Sequence, residues 1–224
     1  RKKTRTEDRI DRWIRMVATN RLTGHSSGFF SVYTLPPNQA ASPENQKRIN
    51  ASRKQKPAHR IVKEIIFKKT RTLLMRIGED ERAVVNAAGT SARFLTADAR
   101  ETPAIPSESV QLTVTSPPFL NIVQYSQDNW LRGWFNMIDP ATVRMTLART
   151  AEKWNGVMIG VFQELYRVTR SGGYVAFEVG EVRNGSVKLD DHVIPIGLAA
   201  GFSCEGLYIN TQKFTKTANI WGIR

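Results

Sequence analysis

The sequence predicts an α/β fold with a mainly parallel sheet, joined to a basic helical region. Three observations lead there. After about residue 90, strand-like and helix-like patterns alternate, which is the signature of a layered α/β domain. The first third is strongly basic: residues 1–76 hold 19 of the 33 Lys and Arg but 5 of the 20 Asp and Glu, a net of +14, while the remainder nets −1. Finally, the alternating stretch Val110-Gln111-Leu112-Thr113-Val114 runs into Thr115-Ser116-Pro117-Pro118-Phe119. Two prolines there fix φ, remove two N–H donors and stop a strand.

The elements follow in order. Thr4 to Asn20 reads as a helix: Thr4 and Glu7 have capping-box spacing, and Ile10, Trp13, Ile14 and Val17 share a face. The glycines, serines and prolines between Leu22 and Asn38 predict loops. Arg48 to His59 is basic and polar and is expected to be exposed and partly mobile. Ile61 to Ile77 is a second amphipathic helix ended by Gly78, with Lys63, Lys68, Lys69 and Arg71 on its outer face.

Beyond residue 90, Ala92–Ala97 is a short strand candidate ending at Asp98, and Val110–Thr115 is a second. Asn129–Met137 is a helix with Trp130, Leu131, Trp134 and Phe135 inward. Trp154–Arg170 is a longer one, with Met158, Val161, Phe162 and Leu165 on one face and Ser171-Gly172-Gly173 as its stop. Tyr174–Val179 is a strong strand, expected beside Val110–Thr115 in the sheet. Ile194–Ala200 is a short helix, and Phe202–Thr211 with Ala218–Ile223 should close the chain as an antiparallel pair. The predicted domains are residues 1–88, basic, helical and looped, and residues 89–224.

Composition narrows the function. The formal net charge of +13 and its concentration in one region favour a polyanionic partner, nucleic acid foremost. The residues expected to contact it are Arg48, Arg53, Lys54, Lys56, Lys68, Lys69 and Arg71. The single cysteine, Cys204, excludes an internal disulfide and a cysteine-cluster metal site; a small residue on a strand is its expected role. No stretch approaches 18 apolar residues and the basic start lacks an apolar core, so neither a membrane span nor a signal peptide is expected. A cytoplasmic, membrane-free and metal-free protein fits.

The chemistry is carried by residues 115–119. Carbonyl and hydroxyl oxygens of such a loop can accept the hydrogens of a planar amine while Phe119 stacks on its ring. An exocyclic amine is a poor nucleophile because its lone pair is delocalised. Acceptors that draw it toward tetrahedral geometry expose the lone pair to a methyl donor, by positioning and dipoles alone.

Ser116-Pro117-Pro118-Phe119 resembles the (Asp/Asn/Ser)-Pro-Pro-(Tyr/Phe/Trp) motif of the DNA amino-methyltransferases, which in that family closes the fourth strand of a Rossmann-like sheet. Thr96-Ala97-Asp98-Ala99-Arg100 is similar to the family's segment at the end of strand three, Pro106-Ser107-Glu108-Ser109-Val110 to its approach to strand four, and Leu165 to Val175 to its approach to strand five. The resemblance covers residues 90–224. It implies a partial Rossmann-like methyltransferase sheet lacking the first strands, with the basic region as an extension or insertion. It implies S-adenosyl-L-methionine as cofactor, catalytic roles for Ser116, Pro117, Pro118 and Phe119, and cofactor contacts from Asp98, Ala99, Thr115 and Glu178. It also implies a DNA-associated protein of prokaryotic or phage type, and a cognate restriction enzyme as a further partner.

Departures from the family stand beside the matches. The Phe-x-Gly-x-Gly cofactor loop and the ribose-binding acid are not found. Gly24 to Phe30 is glycine-containing but follows no strand, and is not read as that loop. The loop is expected upstream of Arg1, or after Arg224 in a permuted order. Ser at the first motif position favours cytosine N4 as the target. Adenine N6 is the alternative, followed by a non-catalytic DNA-binding remnant and an RNA amino-methyltransferase. Cytosine C5 chemistry needs a Pro-Cys nucleophile, and Cys204 follows Ser203.

Overall fold

A computed structural model describes residues 6–24, 26–31, 41–118, 129–143, 148, 150–182 and 187–209. It is mixed α/β, with seven α-helices and a two-stranded parallel sheet among the described residues. The chain divides into two units, residues 1–94 with 121–147 and residues 95–120 with 148–224.

In the first unit, helix α1 (Arg9–Thr19) begins at a capping box one turn later than the sequence suggested. The Asp8 carboxylate accepts from the Ile10 and Asp11 N–H groups at 2.8 and 2.9 Å, and Asp11 accepts in return from the Asp8 N–H at 3.2 Å. Aspartate satisfies these donors and also complements the positive helix end, while Glu7 pairs with Arg15. Helix α2 (Pro43–Ser52) occupies part of the stretch expected to be mobile. The overlooked signal is Ser42-Pro43: Ser42 caps the Asn45 N–H at 3.3 Å and proline stands at the first helical position.

Helix α3 (Val62–Leu74) agrees with expectation, and the Trp13 indole N–H of α1 donates to Thr70 Oγ1 on it at 3.0 Å. Gly78 both follows α3 and caps α4 (Glu79–Ser91), a helix the sequence reading missed. Its acidic first turn is favourable at a helix N-terminus, but all its residues are exposed, so no burial stripe announces it. Helix α5 (Trp130–Asn136) ends at Met137 in the left-handed region, φ +58°, and Asn136 Nδ2 donates to Thr19 Oγ1 at 3.2 Å. Trp134, expected inward, is exposed. The Gly24 region folds back on itself, with the Gly24 N–H donating to the Ser31 carbonyl at 3.0 Å and the Phe29 ring filling the place of a Gly24 Cβ.

In the second unit, β1 (Val110–Thr115) pairs in parallel with β2 (Thr169–Phe177), in register from Leu112 opposite Tyr174 to Thr115 opposite Phe177. The expected adjacency is therefore found. The intervening helix α6 (Ala151–Val168) passes into β2 without a loop. Ser171-Gly172-Gly173, expected to stop the helix, instead lies inside the strand. Gly172 takes φ +70° where the register shifts, and a Cβ on Gly173 would sit 3.0 Å from the Gln111 carbonyl oxygen. Glycine is needed there for close strand approach.

A short antiparallel pair, β3 (Glu181–Val182) and β4 (Val187–Lys188), leads to α7 (Asp190–Ala200). The core lies where α6 meets α7: Trp154, Met158, Val161, Phe162, Leu189 and Val193 are buried together. Phe177 of β2 reaches this core, its ring 4.8 Å from that of Phe162. The opposite face of the sheet, with Leu112, Val114 and Tyr174, is exposed.

Residues 92–97 form no ladder; Asp98 makes only an isolated bridge to Glu101. Residues 202–209 likewise form no strand, and the second member of the expected C-terminal pair lies outside the described residues. Cys204 is exposed rather than set in a strand. Among the described residues no helix is long and apolar enough to cross a membrane, and no group of three or more His, Cys, Asp or Glu side chains could hold a metal ion.

Candidate functional site

Helix α6 is the spine on which the second unit's motifs are arranged. The segment leading to β1 runs along it in the same direction. Arg100 lies against Gly160, where a Cβ would come 3.2 Å from Arg100 Cγ. Next, Glu164 Oε1 accepts from the Thr102 N–H at 2.6 Å and from its hydroxyl at 2.5 Å. Arg167 then donates to Ser107 Oγ at 3.0 Å and to the Thr102 and Ile105 carbonyls at 3.2 and 3.1 Å. The Ser109 N–H reaches the Val168 carbonyl at 2.9 Å. Two segments singled out separately in the sequence, 106–110 and 165–175, are thus one hydrogen-bonded module that sets where β1 begins.

Glu164 and Arg167 hold this module as a two-pronged pair at 2.7 and 2.8 Å. The Arg167 guanidinium holds the Glu164 carboxyl well below its ordinary range, at about 2, opposed by burial and reinforced by Thr102. A depressed carboxylate contributes stability that is present above about pH 4.5 and lost as pH falls toward 2. Glu164→Gln should therefore lower stability at neutral pH by on the order of 1 kcal/mol, since Arg167 is partly solvated and screened. Denaturant midpoints for wild type and variant should converge as pH falls through this window; a constant gap down to pH 2 would contradict the assignment.

At the other end of α6 lies the carboxyl rim of the sheet. The Glu178 N–H donates to the Thr115 carbonyl at 2.9 Å, bringing two of the expected cofactor residues together at the carboxyl ends of β1 and β2. Ser116 is exposed, Pro117 half-buried and Pro118 exposed; Phe119 lies outside the described residues. The Trp154 indole N–H donates to the Pro118 carbonyl at 3.2 Å from a side chain only 2% exposed. One of the two proline carbonyls is therefore engaged by the core, and the turn is tied to α6. Nearby on α6, Asn155 Nδ2 and His192 Nδ1 of α7 lie 3.0 Å apart.

Asp98 is placed differently. Arg100 grips both its oxygens, at 2.9 and 2.6 Å, and caps Oδ1 with its own N–H at 3.0 Å. Through Arg100 this turn, including the exposed Ala99, rests at the level of Gly160, about 9 Å along α6 from Trp154 at 1.5 Å per residue. Of the residues expected to contact S-adenosyl-L-methionine, Thr115 and Glu178 meet at the rim, whereas Asp98 and Ala99 lie at the level of Gly160. The Asp98 carboxylate is turned onto a guanidinium, and the space beside Gly24 is filled by Phe29.

In the first unit, Arg48 of α2, Arg53, Lys54 and Lys56 beyond it, and Lys68 and Arg71 of α3 are exposed, while Lys69 is half-buried on the flank of α3. Sequence reasoning missed Trp154, Glu164 and Arg167. The i, i+3 spacing of Glu164 and Arg167 was a visible pair signal; nothing local marks Trp154 as the partner of a carbonyl 36 residues earlier. Comparison of the chain with family models, curated proteins and solved structures finds no match.

Proposed function

We propose that the chain is the catalytic part of an S-adenosyl-L-methionine-dependent DNA methyltransferase acting on the exocyclic amine of a base, cytosine N4 in preference to adenine N6. The observation that carries this reading is the Ser116-Pro117-Pro118 turn at the carboxyl end of a parallel strand, tied to the core by Trp154. In open α/β sheets that rim is where ligands bind. Parallel sheets are normally covered on both faces. The exposed Leu112, Val114 and Tyr174 therefore suit a Rossmann-like sheet whose second face is covered by further helices.

With Pro118 engaged, the Ser116 hydroxyl and the Pro117 carbonyl are the oxygens assigned to accept the amine's hydrogens. Phe119 is assigned the stacking face for a base extruded from the duplex. S-adenosyl-L-methionine, when bound, would supply the methyl group, while the chain's own residues would orient the amine and favour its tetrahedral form. Contacts that strengthen as the amine pyramidalises act on kcat rather than on binding.

Ser116→Ala should lower the methylation rate by about 10- to 100-fold, or roughly 1.4–2.7 kcal/mol of barrier, with DNA affinity unchanged. Nucleosides from DNA treated with the full-length protein, the cofactor loop included, and S-adenosyl-L-methionine, weighed by mass spectrometry, decide the target. N4-methylcytosine is the expected product, N6-methyladenine moves the assignment to adenine, and the absence of any methylated base refutes the enzymatic reading.

A further inference from the structure

We propose that the outward face of α3 binds single-stranded nucleic acid, with Phe67 stacking on an unpaired base between phosphate contacts from Lys63 and Arg71. The inference rests on the reading of the basic first unit as a nucleic-acid surface, and adds a base contact to it. Residues 63, 67 and 71 are spaced i, i+4, i+8 and so form one stripe along the helix. All three are exposed, Phe67 at 60%. The Lys63 ammonium stands 5.7 Å from the centre of the Phe67 ring. Residues 53–76 carry nine Lys and Arg against the single acid Glu64.

The inner side of α3 is already used: Thr70 receives the Trp13 indole, and Ile65 and Ile66 are half-buried. What remains outside is an aromatic face among cations, the combination that binds a nucleic-acid strand by stacking and charge together. A membrane-seated helix would need a broad apolar face there; exposed Leu74 adds one apolar side chain to the stripe, while Lys63, Glu64, Lys68 and Arg71 flank Phe67 on the helix.

The test is fluorescence anisotropy of a labelled 20-nucleotide oligothymidine with the full chain, across a salt series. Phe67→Ala should weaken binding roughly 5- to 100-fold, Phe67→Tyr should restore it, and the slope of log affinity against log salt should not change. Lys63→Gln with Arg71→Gln should instead flatten that slope by about 1.4, at 0.7 per phosphate on a single strand. Phe67 is exposed, so thermal melts of the variants should match wild type. Affinity within twofold for Phe67→Ala, with the wild-type slope intact, overturns the stacking role and leaves the basic surface standing. A wild type with no salt-dependent binding removes both. Phe67-dependent binding to phosphatidylglycerol vesicles, without binding to the oligonucleotide, assigns the face to a lipid surface and overturns the proposal.

Discussion

Trp154→Ala should be the most damaging single substitution in the second unit, lowering stability by about 3–5 kcal/mol, the range for removing a buried tryptophan. Trp154 is 2% exposed and packs with Met158, Val161, Phe162, Leu189 and Val193 where α6 meets α7. The alanine leaves a cavity in that cluster and frees the Pro118 carbonyl. Trp154→Phe separates the two effects. It keeps most of the ring but removes the indole N–H, so it should cost less, about 1–2 kcal/mol. Because the lost bond ends on the turn carrying Ser116, the phenylalanine variant should also lower kcat more than its stability loss explains, with KM for DNA unchanged. Urea unfolding measures the first quantity and steady-state methylation the second. An alanine variant within 1 kcal/mol of wild type would contradict this placement of the core.

Binding of the full chain to duplex DNA should fall about a thousandfold between 50 and 200 mM salt. That figure assumes about six phosphate contacts, each contributing −0.9 to the log–log slope. The basis is the net charge of +14 over residues 1–76, with Arg48, Arg53, Lys54, Lys56, Lys68 and Arg71 all exposed. Lys68→Gln and Arg71→Gln should each reduce the slope by about 0.9 and weaken binding to all sequences alike, as expected of phosphate contacts. Lys69 is half-buried beside the face that meets α1, so Lys69→Gln should move the slope less. Affinity that stays flat over the salt range would falsify the assignment of this region to nucleic acid.

Local signals were legible where the chain itself satisfies them. The i, i+3, i+4 pattern of Met158, Val161 and Phe162 gave α6, and those residues are buried. Alternation gave β1, and the parallel order followed from a helix lying between two strands. Errors arose where two local signals competed. Thr4 with Glu7 and Asp8 with Asp11 both have capping spacing, and the structure uses the second. Ser171-Gly172-Gly173 has the composition of a helix stop, yet the backbone needs those glycines for close approach to β1. Helix α4 has favourable end charges but no buried stripe, so periodicity could not show it.

The sequence by itself determined the α/β character, the concentration of positive charge and the placement of Ser116-Pro117-Pro118 at a strand end. Each of these depends on residues close together in the chain: side-chain period, formal charge and proline's missing N–H. Only the tertiary structure decided what those residues touch. It joined Thr102 to Glu164, Ser107 to Arg167 and Pro118 to Trp154, pairs 62, 60 and 36 residues apart. It also turned Asp98 onto Arg100 while leaving Glu178 beside Thr115. Such pairings follow from α6 running antiparallel to β1, the strand it follows, so that each helical turn meets a different part of the chain entering and leaving that strand. No local pattern encodes that juxtaposition, because a carbonyl or carboxylate accepts from whichever donor the packed helix brings within about 3 Å.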